Sequence, residues 1–240
     1  MNKNDLSLLG KNFDGQTVLI TGHTGFKGSW LTAWLKQLGA KVVGIALDPP
    51  TEPSHFGAAQ MADEMTDLRI DVCNQVALEE AVISTQPDFV FHLAAQALVR
   101  PSYEIPLDTI STNALGSAHV LDALRILNKP IVAVMITSDK AYDNLEWVWG
   151  YKETDRLGGK DPYSASKGMA ELAIRTYVES FFNQPDSNVR LGIARAGNVI
   201  GGGDWALDRI VPDCVNAWSS GETVDIRSPG ATRPWQHVLE

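Results

Sequence analysis

The chain has 240 residues, of which 44% are hydrophobic and 20% are charged, and its formal net charge is −9. These values are ordinary for a soluble globular protein, and the length suffices for one large domain or for one domain and part of another. The acidic balance argues against nucleic acid as a partner, because that binding depends on excess positive charge. No apolar run reaches the roughly 18 residues of a membrane span, and the polar N-terminus lacks the apolar core of a secretory signal.

Two cysteines, Cys73 and Cys214, fit neither a disulfide framework nor the spacing of metal ligands. We expect both to be buried thiols in a reducing cytosol, and therefore a cytoplasmic protein without a metal site. The chain stops at Glu240 without a frayed polar tail, so we expect a fragment of a longer protein.

Short β-branched runs alternate with longer helical patterns along the chain. Near-continuous apolar runs are typical of parallel strands that helices cover on both faces. Strand–helix alternation with right-handed crossovers predicts an α/β fold with a doubly wound parallel sheet. The predicted strands are 17–21, 41–47, 68–70, 88–93, 131–137 and 189–196, and the predicted helices lie near 25–38, 74–85, 106–128, 163–182 and 206–219.

The pattern changes after the three glycines at 201–203. A helix that ends at Trp218 and a short strand at 223–226 look like the start of a smaller domain, which the chain does not complete. We therefore predict a first domain that contains the sheet, over residues 1–197, and the beginning of a second domain over residues 198–240.

The first predicted strand runs directly into a glycine motif, Gly22-x-x-Gly25-x-x-Gly28, and a helix follows. Glycines permit a tight turn and the close approach of backbone to a pyrophosphate, and the helix N-terminus supplies N–H groups and a positive dipole. The alternative is a tight strand-to-helix turn without a ligand. We expect a dinucleotide on this turn, with contacts also from the residues between the glycines, Thr24, Phe26 and Lys27.

Asp48 ends the second predicted strand, about 20 residues past the last glycine of the motif. An acidic residue there meets the ribose 2′-hydroxyl of NAD, and its charge repels the 2′-phosphate of NADP, so we predict NAD. The alternative is a surface aspartate that opens a Pro-Pro turn. We expect Asp71 and Val72, after the third strand, to meet the adenine. A run after the fourth strand is expected to lie along the cofactor, unless it serves only helix–sheet packing: Leu93, Ala94, Ala95 and Gln96.

Tyr163 and Lys167 are four residues apart in a predicted helix, which places them about one turn from each other on the same face. An ammonium group there can lower the pKa of a phenol from its reference near 10 toward neutrality. A phenolate is then a base that can take a proton from an alcohol. Alone, such a pair arises often by chance and is more commonly a solvated helix face. Together with the glycine motif, it predicts the oxidation of an alcohol by a nicotinamide cofactor.

At this point the chain resembles the extended short-chain dehydrogenase/reductase family, over nearly all residues from Gly15 to Glu240. Three family motifs stand in order: T-G-x-x-G-x-x-G, H-L-A-A and Y-x-x-x-K. The resemblance implies a Rossmann fold that binds NAD in the first domain and a nucleotide sugar in the second. It narrows to the nucleotide-sugar 4,6-dehydratases, and among them to those that act on CDP-glucose, on four segments: TGHTGFKGSWL, ALDPPTEPSHF, TSDKAYDN and ARAGNVIGGGDWA.

The segment Thr137-Ser138-Asp139-Lys140 ends the fifth predicted strand, at the sheet edge where doubly wound folds carry out their chemistry. Elimination of water needs an acid and a base beside the substrate hydroxyl, whereas an epimerase needs neither. Asp139 and Lys140 supply two titratable groups at this position. The alternative is a solvated acid–base pair in a loop.

The resemblance implies that Tyr163 takes the proton of the sugar 4-hydroxyl, that Ser138 hydrogen-bonds the same oxygen and that Lys167 lowers the phenol pKa. Asp139, protonated, would donate to the departing 6-hydroxyl. The dTDP-glucose dehydratases carry glutamate where this chain has Lys140. The group that removes the C5 proton therefore stays open, because a lysine can do so only when it is neutral.

On the substrate side, we expect Asn198 to meet the sugar diphosphate and Arg233 to contact a phosphate. Arg209 and Arg227 are weaker candidates, since either can be an ordinary surface arginine. Two tryptophans in the loop behind the catalytic segment are expected to cover the site, Trp147 and Trp149.

The resemblance also implies a homodimer through the helices near 106–128 and 163–182. Apolar positions at helical spacing are candidates for that face, although core packing explains them nearly as well: Ile110, Ala114, Ala118 and Leu121. Two rival functions remain open. A 4-epimerase is disfavoured by Asp139-Lys140, and a non-catalytic NAD-sensing protein has no need for the full catalytic set.

Overall fold

A computed structural model describes residues 10–226 and 228–240 of the chain. Its centre is a six-stranded parallel sheet in the order β3-β2-β1-β4-β5-β6. The strands are β1 (Thr17–Thr21), β2 (Lys41–Ala46), β3 (Thr66–Arg69), β4 (Phe89–His92), β5 (Ile131–Ser138) and β6 (Val189–Ala196). A separate parallel pair follows them, β7 (Asn198–Ile200) and β8 (Trp235–His237).

Helices connect the strands and cover both faces of the sheet. They are α1 (Phe26–Gln37), α2 (His55–Ala58), α3 (Gln75–Thr85), α4 (Val99–Glu104), α5 (Pro106–Ile110), α6 (Gly116–Arg125), α7 (Pro162–Tyr177) and α8 (Ile210–Ser219). A π turn at Ser111–Leu115 joins α5 to α6, and a second π turn at Val178–Phe182 extends α7. No helix in the described part of the chain is long and apolar enough to span a membrane.

Strand β1 shows why the strands read as continuous apolar runs. Its residues Val18, Leu19 and Ile20 are all fully buried, because helices cover the sheet on both sides. Leu19 belongs to a cluster with Leu121 and Leu124 of α6 on one face. Val18 and Ile20 point to the other face, where they share a cluster with Leu35 of α1. The alternation follows the two-residue period of a strand.

The strand order is that of a doubly wound Rossmann sheet, as predicted. In this order the connections from β1 and β4 leave the sheet in opposite directions, which opens a crevice at the carboxyl ends of these two strands. Ligands of such folds bind in that crevice. The glycine motif follows β1 and the Leu93–Gln96 run follows β4, so both predicted cofactor segments border it.

Two element predictions in the last part of the chain are wrong. Residues 223–226 form no strand, because no neighbouring strand pairs with them, and the second sheet uses β7 and β8 instead. The helix predicted from 206 begins only at Ile210. Asp208 has a φ of +60°, a left-handed conformation that an α-helix does not continue through.

The predicted dimer positions also need correction. Leu121 is fully buried and Ala114 is 9% exposed, so both pack in the core of their own chain. Other apolar side chains on the same helices are exposed: Leu107 (76%), Leu115 (53%), Met169 (43%) and Leu172 (53%).

Candidate active site

The glycine turn after β1 has the close packing that a pyrophosphate site requires. Gly22 has a φ of +79°, and a Cβ there would lie 2.6 Å from the backbone nitrogen of Ala94. A Cβ on Gly28 would overlap the carbonyl oxygen of Gly22. Gly25 precedes α1 and supplies no side-chain cap, so the N–H groups of the first turn are open to an anionic ligand. The turn therefore fits a dinucleotide.

The segment after β4 is held directly against this turn. Leu93 N donates to Thr21 O (3.0 Å), and Ala94 N donates to the hydroxyl of Thr21 (3.2 Å). The same hydroxyl lies 2.7 Å from Nδ1 of His92, a buried histidine that the sequence analysis did not select. Burial lowers the pKa of His92 to about 3, so it acts as a neutral hydrogen-bonding group beneath the crevice. Ala95 is the next residue in this segment, between Ala94 and Gln96.

The side chain of Gln96 bonds within its own part of the chain. Its amide nitrogen donates to Leu98 O (3.0 Å) and to the Thr109 hydroxyl (3.1 Å). Asn113, in the π turn, accepts from Gln96 N (2.9 Å) and donates to Gln96 O (3.0 Å) and to the Ser166 hydroxyl (2.8 Å). Asn113 thus ties the segment after β4 to the helix that carries Tyr163.

Asp48 and Asp71 follow the carboxyl ends of β2 and β3, the two strands beyond β1 in the sheet. The Asp48 side chain is 93% exposed and lies 3.6 Å from the guanidinium of Arg69, which also donates to Leu47 O (2.8 Å). Thr24 bonds to the same carbonyl (2.9 Å), so the glycine turn and the end of β2 are joined there. Asp48 is therefore open to a ribose hydroxyl, with a cation beside it.

Asp71 and Val72 differ in their surroundings. Asp71 accepts a hydrogen bond from Cys73 N (2.9 Å) and is exposed at the edge of the crevice. Val72 is 3% exposed, and a Cβ on Gly116 would lie only 2.7 Å from its side chain. Its carbonyl oxygen lies 2.9 Å from Nδ1 of His119. Val72 consequently packs against α6, while Asp71 stays accessible.

Tyr163 and Lys167 project from the first turns of α7. Asp161 caps this helix by accepting from Ser164 N (2.9 Å), and Pro162 occupies its first position. The Lys167 Nζ lies 6.0 Å from the centroid of the Tyr163 ring. Both side chains are buried, with exposures of 8% for Tyr163 and 7% for Lys167.

The electrostatics of this pair differ from the prediction. Burial raises the pKa of Tyr163, Asp139 raises it further, and a hydrogen bond with Ser138 and the charge of Arg209 lower it. The pKa of Tyr163 is therefore raised and not lowered as predicted, because the desolvation of the phenol dominates. Burial, and next the charge of Lys27, lower the pKa of Lys167 to about 8, while Glu171 raises it.

Ser138, Asp139 and Lys140 form a compact group where β5 ends. The Ser138 hydroxyl donates to Asp139 (3.1 Å) and accepts from Lys140 N (3.2 Å). The Lys140 Nζ donates to both carboxylate oxygens of Asp139, at 3.0 Å each. The side chains of Asp139 and Lys140 are only 28% and 33% exposed. The pair therefore lines the crevice rather than standing in solvent.

A buried network behind this group was missed at the level of sequence. Glu171 of α7 is 2% exposed and accepts from the Thr137 hydroxyl (2.5 Å) and from two nitrogens of Arg195 (2.7 and 2.9 Å). The Arg195 guanidinium lies over the ring of Tyr142, 4.7 Å from its centroid. These residues come from β5, α7 and β6, so only the folded chain brings them together.

The substrate-side candidates fall into two places. Arg209 donates to Asp204 (3.0 Å), and its charge acts on both Tyr163 and Lys27, so it belongs to the catalytic crevice. Burial is the main reason that the pKa of Lys27 is lowered. Asn198 N donates to Pro234 O (2.9 Å), beside the exposed Arg233, whose described hydrogen bond is to Thr232 O. Arg227 lies outside the described residues.

Aromatic rings follow the catalytic segment in a chain of contacts. Tyr142 stacks on Tyr151 (4.9 Å between centroids), Tyr151 meets Trp147 (5.2 Å), and Trp147 meets Trp149 (5.7 Å). Trp149 is 64% exposed. Its proposed part in covering the site stays a prediction.

The fold and the Ser138–Tyr163–Lys167 arrangement define a Rossmann-fold protein of the extended short-chain dehydrogenase/reductase type. The chain belongs to the GDP-mannose 4,6-dehydratase family, whose model matches residues 19–238. CDP-glucose 4,6-dehydratase of Salmonella typhimurium is 49% identical over 97% of this chain, which covers 66% of that protein. A probable dTDP-glucose 4,6-dehydratase of Sinorhizobium fredii is 30% identical over 64% of this chain and 47% of that protein. The chain thus spans less than two thirds of the length of these relatives.

Solved structures with the same fold confirm the predicted architecture. MoeE5 in complex with UDP-glucose and NAD is 26% identical, with a TM-score of 0.75 over 93% of this chain and 68% of that chain. The UDP-N-acetylglucosamine 4-epimerase from Methanobrevibacter ruminantium, in complex with UDP-N-acetylmuramic acid, is 25% identical. Its TM-score is 0.80, over 94% of this chain and 70% of that chain.

Proposed function

We propose that this protein is a hydro-lyase that converts CDP-D-glucose to CDP-4-keto-6-deoxy-D-glucose with NAD. The observation that carries the proposal is the contact of Lys140 with both oxygens of Asp139, beside Ser138 and Tyr163. A simple alcohol oxidation or a 4-epimerisation requires no such pair. The identity of 49% to a CDP-glucose 4,6-dehydratase supports the choice of sugar nucleotide.

The Gly22–Gly28 turn is proposed to hold the pyrophosphate of NAD, with Asp48 on the ribose 2′-hydroxyl and Asp71 toward the adenine. NAD held there would supply the hydride acceptor for C4 and the hydride donor for C6, and C5 would regain a proton as C6 is reduced. The close approach of Gly22 to the segment after β4 supports this assignment, because a side chain at Gly22 would displace the backbone of Ala94 and one at Gly28 would displace the turn itself.

Oxidation at C4 is assigned to Tyr163, Ser138 and Lys167. The buried phenol is proposed to take the proton of the 4-hydroxyl, and the Ser138 hydroxyl to donate to the same substrate oxygen. Burial raises the pKa of Tyr163, and the charge of Arg209 opposes that rise and so favours the phenolate. Lys167 is proposed to hold the nicotinamide ribose through its buried ammonium group.

Elimination is assigned to Asp139 and Lys140 as a unit that shares one proton. With the proton on the carboxyl group, Asp139 is the acid for the departing 6-hydroxyl and the neutral Lys140 amine takes the C5 proton. The reaction removes one proton from C5 and delivers one to the leaving oxygen, so the pair ends with as many protons as it began with. The 3.0 Å contacts between the two side chains keep them within the distance that a proton transfer between them requires.

The experiment that tests the function is incubation of the protein with CDP-glucose and NAD, followed by mass spectrometry of the sugar nucleotide. We expect the loss of one water and a keto group at C4, with dTDP- and GDP-sugars turned over more slowly. Formation of CDP-galactose would favour an epimerase instead. Binding of NAD without any change in the sugar would favour a sensing protein.

We also propose that the protein is a cytoplasmic homodimer. The exposed apolar side chains of α5, α7 and the first π turn support an interface on these helices, with Leu107, Leu115 and Leu172 as its centre. Light scattering at micromolar concentration tests the dimer, and a monomer that turns over CDP-glucose would contradict it.

A further inference from the structure

Helix α1, helix α2 and the loop after β7, which are far apart in the sequence, meet on the outer side of α1. The ring of Trp30 stacks on the ring of His55, with 4.4 Å between centroids and 18° between planes. The indole Nε1 of Trp30 donates to Gly202 O at 2.9 Å, across 172 residues of sequence. Trp30, His55, Gly202 and Gly203 are called the clasp below.

His55 fixes the geometry of the clasp on two sides. Its Nδ1 lies 2.8 Å from the hydroxyl of Ser29 in α1. Gly203 has a φ of +84°, and a Cβ there would lie 2.6 Å from the Cβ of His55. The imidazole is therefore held between the helix and the loop, and only glycine fits at position 203.

The clasped loop lies on the first turn of α1, where the cofactor site begins. A Cβ on Gly201 would lie 2.6 Å from the Val238 side chain and 3.2 Å from the Phe26 ring, both closer than ordinary van der Waals contact, so the loop packs tightly on this turn. The loop then leads to Asp204, whose side chain is 6% exposed and bonds to Arg209 at 3.0 Å. The clasp and this ion pair fix both ends of the segment 202–209.

We propose that Trp30 and His55 are positioning residues that act through the loop at 201–209 to hold Arg209 against the phosphates of the sugar nucleotide. The inference rests on the proposed function. Because the loop is fastened to α1, the place of the substrate-binding arginine is set by the same helix whose N-terminus receives the cofactor. The clasp thus joins the two binding sites mechanically without touching either ligand.

A double-mutant cycle between Trp30 and Arg209 tests the proposal, in a form of the protein that turns over CDP-glucose. Trp30→Phe keeps a stacking ring but removes the donor to Gly202. We expect the KM for CDP-glucose to rise about 3- to 10-fold, the effect of one lost hydrogen bond, with the Kd for NAD little changed. Any fall in kcat should be smaller than the rise in KM, because the charge of Arg209 is only one of several influences on the pKa of Tyr163. In an Arg209→Met background, Trp30→Phe should have no further effect on KM, because the group it positions is gone.

A second variant changes the loop side of the clasp instead of the α1 side. Gly203→Ala displaces the loop from His55 and should raise the KM for CDP-glucose to a similar extent. In an Arg209→Met background, Gly203→Ala should have no further effect on KM. Trp34→Phe is the matched control, since Trp34 lies one turn further along α1 and donates no hydrogen bond to the described loop residues. Its KM should equal that of the unaltered protein.

Two results would overturn the proposal: additive effects of Trp30→Phe and Arg209→Met on KM, or a loss of NAD affinity as large as the loss of CDP-glucose affinity. Either would leave the proposed function standing, because the unaltered protein still forms the 4-keto-6-deoxy product. Failure of the unaltered protein to form that product, when NAD and CDP-glucose both bind, overturns the proposed function instead.

Discussion

Glu171 and Arg195 form a buried ion pair one helical turn beyond Lys167, with Arg195 Nε 2.7 Å and Nη2 2.9 Å from the two carboxylate oxygens. The negative charge of Glu171 raises the pKa of Lys167, against burial and the charge of Lys27, which lower it. The carboxylate therefore helps to keep the catalytic lysine protonated in a site that disfavours its charge.

The first prediction concerns the pH dependence of oxidation. Glu171→Gln removes the charge that favours protonated Lys167, so the pKa of this lysine should fall below its value of about 8. If protonated Lys167 is the active form, activity should then be lost at a lower pH, and the alkaline limb of kcat/KM should move toward neutrality. Thr137→Val is the matched control, because it removes a hydrogen bond to the same carboxylate but leaves the charge. An unmoved limb in Glu171→Gln would show that Glu171 does not act on Lys167.

The second prediction separates the two half-reactions. Tyr163→Phe should abolish oxidation, so that neither keto sugar nor water loss appears. Asp139→Asn should still permit oxidation but slow the loss of the 6-hydroxyl by about 10²- to 10⁴-fold, as for a lost general acid. Borodeuteride trapping and mass spectrometry should then detect a 4-keto sugar that retains its 6-hydroxyl. Water loss at the unaltered rate in Asp139→Asn would refute the acid assignment.

The third prediction concerns the base. Lys140→Met should stop the exchange of the C5 hydrogen with D₂O, because a methionine at position 140 has no amine that can take the proton. Lys140→Glu should retain part of the exchange, since a carboxylate at this position is itself a base. The measurement is deuterium incorporation at C5 by mass spectrometry. Equal exchange in Lys140→Met and in the unaltered protein would assign the C5 proton to another group.

The fourth prediction concerns the glycine turn. In Gly28→Ala the new Cβ meets the carbonyl of Gly22, so the turn must shift, and the free energy of unfolding should fall by about 1–3 kcal/mol. The Kd for NAD, measured by calorimetry, should rise with it. Gly192→Ala in β6 is the control, because a Cβ there has no heavy atom within 4 Å. Unchanged NAD affinity in Gly28→Ala would place the dinucleotide elsewhere.

The sequence was sufficient for features that depend on neighbouring residues. The strands follow from local apolar runs, and the glycine turn follows from a fixed spacing that the backbone itself requires. Asn113, Glu171 and Arg195 were missed because their partners come from other elements of the sheet and helices. The direction of the Tyr163 pKa shift was missed for the same reason, since burial of the phenol depends on the whole fold.

The π turn at Ser111–Leu115 has a consequence for the whole helical hairpin on that side of the sheet. A π turn contains about one residue more than an α turn, which rotates everything after it by about 100° around the helix axis. On either side of this rotation Ala114 and Leu121 are both buried, while Leu115, next to Ala114 in the sequence, is 53% exposed. The π turn thus lets Asn113 point inward to bond Ser166 of α7 and leaves an apolar side chain outside.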